Sequence, residues 1–336
     1  MQLPAMPPAA STGPLQDRFG RSKQKLRISI TDRCNMRCHY CMPEDPEWLP
    51  RDQILSFEEL QRLAALFVRE LGIRNIRVTG GEPLLRKGVT DFIAGLNDLR
   101  ADGLERISLT SNAILLSRYA PALKAAGLDD INISVDAMDP ELFQRMTKGD
   151  LAAVLAGILA ARDAGIPVKL NAVVIRDENE QEILPLTAWA RSHGLPLRFI
   201  EFMPLDGKGG WRPERVVPEA EIIARLQEHY TVEPLPRTRE PATYYRLDDD
   251  YQIGVISTVS NPFCASCDRV RLTATGEIFA CLFSPLSTGL KESLRAGASD
   301  ADLTELIRGA VWRKGKGFIE SAGYVQRATT MHALGG

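Results

Sequence analysis

LRISITDRCNMRCHYC, residues 26–41, opens on a short β-rich run and closes on three cysteines spaced C-x3-C-x2-C. Five more such runs follow: IRVTG (76–80), RISLTS (106–111), DINISVD (130–136), VKLNAVVI (168–175) and LRFIEFM (197–203). Amphipathic segments separate them. In SFEELQRLAALFVRELG (56–72), Ser56 and Glu59 form a capping box, and Leu60, Leu63, Phe67 and Leu71 recur at helical spacing until Gly72 ends the segment. Helices expected near 88–101, 117–126, 151–164 and 180–193 tend to stop at glycine, the last three at Gly127, Gly165 and Gly194. Repeated β-then-α units imply parallel strands joined by right-handed crossovers. Six of them suit an α/β fold of the incomplete TIM type, a (β/α)6 barrel, with the chemistry at the C-terminal ends of the strands.

The pattern changes after Met203. A glycine-rich loop, DGKGGW (206–211), precedes a helix near 218–229 and the strand-like ATYYRL and YQIGVIST. RVRLTATGEIFACLF then reads as a hairpin turning near Thr275–Gly276, and a last helix spans about 300–313. These segments make a smaller C-terminal α+β domain, 206–336, expected to cover the mouth of a barrel built from 25–205. Residues 1–24 are rich in Pro, Ala, Ser and Gly, lack apolar periodicity, and read as a flexible arm.

With 336 residues the chain can bury a sizeable core, and 44% hydrophobic with 25% charged residues is the composition of an ordinary globular protein. The 41 basic and 43 acidic side chains nearly cancel, which removes the basic footprint of a general nucleic-acid binder. No apolar stretch is long enough for a membrane span, and MQLPAMPPAASTGP lacks the pattern of a secretory signal. The expectation is a cytoplasmic protein. Six cysteines in so long a chain are too sparse for a disulfide-stapled scaffold, and in a reducing compartment clustered thiols serve metal or redox chemistry.

All six fall into two groups, Cys34, Cys38 and Cys41, then Cys264, Cys267 and Cys281. A closed structural zinc site takes four ligands, whereas each group offers three, and His39 is the one histidine near a group. Three thiolates on a 4Fe-4S cluster leave one iron open to a small molecule. A mixed Cys/His zinc site using His39 is the competing reading of the first group.

TDRCNMRCHYC, with its aromatic residue before the last cysteine, resembles the signature of the radical S-adenosylmethionine superfamily, and GGEPLL (80–85) resembles that superfamily's glycine-rich motif. The second triad narrows the match. NPFCASCDRVRL, the thirteen-residue gap to Cys281, and a chain ending in Gly335–Gly336 together resemble the GTP 3',8-cyclase family of molybdenum-cofactor biosynthesis, over nearly the whole chain from about Lys25 onward. The resemblance implies two 4Fe-4S clusters and S-adenosylmethionine. It implies reductive cleavage to a 5'-deoxyadenosyl radical that takes the ribose 3' hydrogen of GTP, after which the sugar carbon attacks guanine C8 to give 3',8-cyclo-7,8-dihydro-GTP.

Carried over by motif position, Tyr40, Gly81, Ser134 and Met203 would bind S-adenosylmethionine. Arg27, Arg77, Thr110, Lys169, Arg269 and Arg271 would bind GTP, for which the chain has no P-loop. Gly335 and Gly336 would enter the active site, where residues without Cβ can thread close to substrate. The family further implies a homodimer, an electron donor such as a flavodoxin, and a next enzyme, cyclic pyranopterin monophosphate synthase. Two departures stand out: SNA at 111–113 where the family commonly has TNG, and Glu240 where a glycine is usual. Neither falls on a cysteine or on one of the GTP-set arginines. The competing readings are a two-cluster radical enzyme acting on a peptide, which needs neither the arginine pair after Cys267 nor the terminal glycines, and an iron–sulfur electron carrier or zinc-stabilised binding protein. Anaerobic colour and iron content separate the last two.

Overall fold

The computed structural model describes residues 13–205, 210–248, 250–318 and 330–335. Six strands appear where the β-rich runs are: β1 (Lys25–Ser29), β2 (Asn75–Thr79), β3 (Arg106–Ser111), β4 (Asp130–Ser134), β5 (Val168–Val174) and β6 (Leu197–Glu201). They pair in sequence order and in parallel. The helices between them are α1 (Phe57–Arg69), α2 (Val89–Asn97), α3 (Leu116–Ala125), α4 (Pro140–Thr147), α5 (Leu151–Asp163) and α6 (Ile183–Ser192). The capping box of α1 forms as its sequence demands: Glu59 N donates to Ser56 Oγ at 3.1 Å, and Ser56 N to the Glu59 carboxylate at 2.6 Å. Leu26 and Ile28 of β1 share one buried core with Leu60, Leu63 and Phe67 of α1. The alternate residues Lys25, Arg27 and Ser29 are thereby turned to the barrel interior.

The C-terminal part does more than cover the mouth. It contributes α7 (Glu219–Gln227), β7 (Val232–Pro234), β8 (Thr243–Leu247), β9 (Tyr251–Ile256), β10 (Arg269–Leu272), β11 (Glu277–Phe279) and β12 (Thr288–Gly289). α8 (Lys291–Arg295), α9 (Asp300–Trp312) and α10 (Met331–Leu334) complete it. β9 joins β6 in parallel, and β10 joins β1 in parallel with Arg271 opposite Arg27. The order is therefore β12-β11-β10-β1-β2-β3-β4-β5-β6-β9-β8-β7, so both edges of the six-strand array are extended by later chain. The β10–β11 hairpin turns at Gly276, as the sequence indicates.

The reading of 1–24 as a flexible arm does not hold for residues 13–24; residues 1–12 lie outside the described residues. Gln16 and Ser22 form an antiparallel bridge, and Leu15, fully buried, donates its N–H to the Leu71 carbonyl at 2.8 Å. Lys23 is also fully buried, its ammonium 2.8 Å from the buried Asp17 carboxylate and 2.7 Å from the Cys267 carbonyl. One apolar anchor and one ion pair carry no periodicity, which is why composition alone missed them. Asp17→Ala strands that ammonium beside the cationic Lys314. An anaerobic urea titration of the variant is expected to show a loss of about 3–5 kcal/mol of unfolding free energy, and an unchanged midpoint would show that the pair adds nothing.

Candidate active site

The interior of the barrel holds a cavity of about 410 Å³, a volume suited to a nucleotide-sized ligand. Both cysteine triads line it. The first follows the C-terminal end of β1, where parallel barrels place their chemistry. Cys34 Sγ accepts from Met36 N at 3.5 Å and from Asn112 Nδ2 at 3.7 Å, and Cys41 accepts from the backbone N–H of His332 near the chain end. Burial pushes the Cys34 thiol up to about 11, and raises Cys38 and Cys41 as well, their neighbouring thiols and Asp136 acting in the same direction. Thiols so placed become thiolates when a metal centre supplies the positive charge.

The second triad has a different setting. Burial again opposes the thiolate of Cys267, but Arg269 and Lys314 outweigh it and hold the group at about 6, with Lys314 Nζ donating to Sγ at 3.2 Å. All six cysteines are free thiols. Among the described residues, no three His, Cys, Asp or Glu side chains converge as a single-ion site would require. The cysteines of both groups line the cavity as soft sulfur donors, the ligand type that iron–sulfur clusters take.

Between the triads the interior is strongly cationic. Register carries the row Arg271, Arg27, Arg77 across β10, β1 and β2, and places Lys169 opposite Asn132 on β4. Burial opposes the charge of Arg27, and the guanidiniums of Arg271, Arg77, Arg269 and Arg198 oppose it further. Arg77 is pushed down to about 10 by burial, partly offset by Asp130. Among the described residues, Arg77 Nη1, Thr110 Oγ1 and Asn132 Oδ1 are buried without a hydrogen-bond partner. Clustered guanidiniums and orphaned polar atoms in one cavity call for a polar, anionic occupant.

Every proposed binding residue lines this cavity: Tyr40, Gly81, Ser134, Met203, Arg27, Arg77, Thr110, Lys169, Arg269 and Arg271. The Tyr40 hydroxyl donates to Asp136, whose carboxyl burial pushes up to about 6. Gly81 closes against the first triad's loop, where a Cβ would lie 2.4 Å from the Arg33 carbonyl oxygen. Met203 packs with Leu205, Phe279 and Leu334. Gly335 reaches the cationic row, its carbonyl accepting from Arg271 Nη1 at 2.7 Å and Arg27 Nη1 at 3.4 Å. Gly336 and residues 206–209 of the glycine-rich loop lie outside the described residues.

Several residues of the site lie outside the binding set read from the sequence. Glu82, in the glycine-rich motif, is buried and pushed up to about 7 by that burial. Its carboxylate accepts from Ser111 Oγ at 3.0 Å and Asn112 N at 2.7 Å, tying β2 to the SNA loop. That loop borders the first triad through Asn112. Ala113 of that loop sits at φ +68°, a left-handed conformation that costs a residue with a Cβ about 1 kcal/mol. Arg198 faces the cavity with Nε held by Asn171 Oδ1 at 3.0 Å, and Glu240 lines the same wall. A charged residue alternating within the apolar run LRFIEFM was the available sign for Arg198.

An incomplete parallel barrel with a thiol triad after its first strand and a glycine-rich turn after its second defines the radical S-adenosylmethionine class. Residues 28–190 match the family described as the Radical SAM superfamily, and residues 195–319 match Molybdenum Cofactor Synthesis C. The GTP 3',8-cyclase of Corynebacterium glutamicum is 48% identical over 98% of this chain and 92% of its own. That of a Mycobacterium sp. is 45% identical over 97% and 95%. The chain belongs to the GTP 3',8-cyclase family. Among solved structures, Streptococcus suis SuiB bound to S-adenosylmethionine shares the fold, with a TM-score of 0.59 at 11% identity over 85% of this chain and 72% of that one.

Proposed function

We infer that this chain is a lyase that converts GTP to 3',8-cyclo-7,8-dihydro-GTP, the first step of molybdenum-cofactor biosynthesis. The observation that carries this reading is that both thiol triads and the arginine row Arg271, Arg27 and Arg77 line one cavity. Two 4Fe-4S clusters fit the two donor sets, one on Cys34, Cys38 and Cys41, the other on Cys264, Cys267 and Cys281. When bound, the first cluster and S-adenosylmethionine would supply radical chemistry by one-electron C–S cleavage.

The chain's own residues bind, orient and exclude water. Gly81 keeps the backbone open to the methionine end of S-adenosylmethionine, Ser134 meets its polar groups, and Tyr40 and Met203 close around the adenosyl part. Arg27, Arg77, Lys169, Arg269 and Arg271 hold the triphosphate, which relieves the mutual repulsion of the guanidiniums, and Thr110 offers its unpartnered hydroxyl. Cys264, Cys267 and Cys281 would hold the second cluster, which would offer an open coordination position for the guanine base. Gly335 and Gly336 are assigned to the reacting end by their match to the family's terminal glycines, and Gly335 brings its carbonyl to Arg271 and Arg27.

The enzyme acts as a cytoplasmic homodimer that receives electrons from a flavodoxin-like donor and passes its product to cyclic pyranopterin monophosphate synthase. Six free thiols suit a reducing compartment, and among the described residues no helix is long and apolar enough to cross a membrane. Iron–sulfur-reconstituted protein, given S-adenosylmethionine and a reductant without oxygen, is expected to form 5'-deoxyadenosine strongly with GTP and weakly with ATP or no nucleotide. Formation indifferent to nucleotide would keep the radical chemistry and remove GTP as substrate. No formation with both clusters present would favour an electron carrier.

A further inference from the structure

Glu240 places an exposed carboxylate on the wall of a cavity whose arginine row favours anions, and Asp130 and Asp136 are other carboxylates lining it. It lies on the segment joining β7 to β8 and lines the cavity together with Pro241. The Tyr244 hydroxyl donates to it at 2.6 Å. Lys169 on β5, Arg198 on β6 and Lys25 on β1 are the cations that face it. Burial opposes its charge, but the Tyr244 hydrogen bond and these cations outweigh burial and keep it ionised.

The surroundings fix this arrangement. Arg198 is held by Asn171, and Gly254 opposite it on β9 leaves the needed room: a Cβ there would come within 2.9 Å of Arg198 Cγ and 3.2 Å of Tyr244 Cε1. Tyr244 and Arg198 are thus packed over one glycine, with the carboxylate beyond. The second triad adjoins β10, on the other side of β1 from β5 and β6. With the base at that triad, a triphosphate held along Arg271, Arg27 and Arg77 would bring its outer end toward Lys169, Arg198 and Glu240, which line the same cavity.

We propose that Glu240 is a specificity-determining residue that counts phosphates: its fixed carboxylate opposes the outer phosphates of the nucleotide and limits the advantage of a triphosphate over a monophosphate. The proposal rests on GTP being the substrate. Like charges a few ångströms apart in a cavity of intermediate dielectric repel enough to change affinity about tenfold, and the effect grows with each added phosphate. The inner cations, Arg27, Arg77 and Arg271, supply the attraction that this repulsion trims.

The test is anaerobic binding of GMP, GDP and GTP to the reconstituted full chain, comparing wild type with Glu240→Gln and Glu240→Gly. The glutamine keeps an acceptor for Tyr244 and removes only the charge. Both variants are expected to bind GTP about tenfold tighter, GDP a few-fold tighter and GMP within about twofold of wild type. KM for GTP should fall in step while kcat does not rise. A uniform change across the three nucleotides marks a merely structural role and overturns the proposal. Weaker GTP binding that appears only with magnesium also overturns it, since the carboxylate would then hold a cation on the phosphates. If wild type binds no guanine nucleotide, the functional reading falls and takes the proposal with it. If wild type does bind them and the variants separate GTP from GMP no better, the proposal alone fails.

Discussion

Cys34→Ala is expected to abolish 5'-deoxyadenosine formation while iron remains on the second triad. Two thiols are too few to hold a cluster in a geometry that leaves one iron open. Cys34 is also the thiol tied to Asn112, so its loss uncouples the SNA loop from the first triad. The variant should retain about half the wild-type iron after reconstitution, on the count of one cluster per triad. The reciprocal variant, Cys281→Ala, should keep the first cluster and lose GTP binding or cyclisation. Unchanged 5'-deoxyadenosine from Cys34→Ala would refute the assignment, and loss of both clusters in Cys281→Ala would refute two independent sites.

Gly335→Val is expected to reduce turnover by about 100-fold or more with both clusters intact, the scale of loss when reacting groups are misplaced by about 1 Å. Gly335 has φ +80°, where a β-branched residue is strained, and a Cβ there would stand 2.6 Å from Thr79 Cγ2 and 3.2 Å from Ser29 Cβ. Thr79 and Ser29 belong to the barrel wall, so the tail must withdraw rather than the wall yield. Withdrawal takes the Gly335 carbonyl away from Arg271 and Arg27 and leaves two buried guanidiniums without that acceptor. The check pairs product formation with the visible spectrum of the reconstituted variant. Wild-type turnover with an unaltered spectrum would show that the tail plays no part.

The six barrel strands were legible because each β-rich run is followed by its own helix, a local pattern that survives without knowledge of partners. α4 was not. Its sequence, DPELFQRMT, sets Pro140 where a chain-breaker is the simple reading, yet Asp139 caps it by accepting from Leu142 N at 2.7 Å and proline suits the first turn. The parallel pairings of β9 with β6 and β10 with β1 were hidden for another reason. Both join segments far apart in the chain, and nothing local in YQIGVI or RVRL names a partner.

The site divides along the same line. Cysteine spacing is local, so both triads could be read directly. Arg198, Asn132 and Glu240 matter because strand register or a loop turns them inward. The buried Asp17–Lys23 pair could not be inferred from a segment whose composition resembles a linker.

The strand order also has a consequence for how the chain is made. During synthesis the array β1–β6 emerges with both edges bare, one waiting for β9 and the other for β10, the last of which ends at Leu272. Until then it exposes two rows of unpaired backbone groups, the kind of edge that recruits other strands and aggregates. The part bearing the first triad therefore depends for its folding on the part bearing the second, and a shortened chain ending near residue 205 would lack both flanking strands. Splitting the chain at that point would take β9 and β10 out of the sheet, so the parts bearing the two triads form one folding unit.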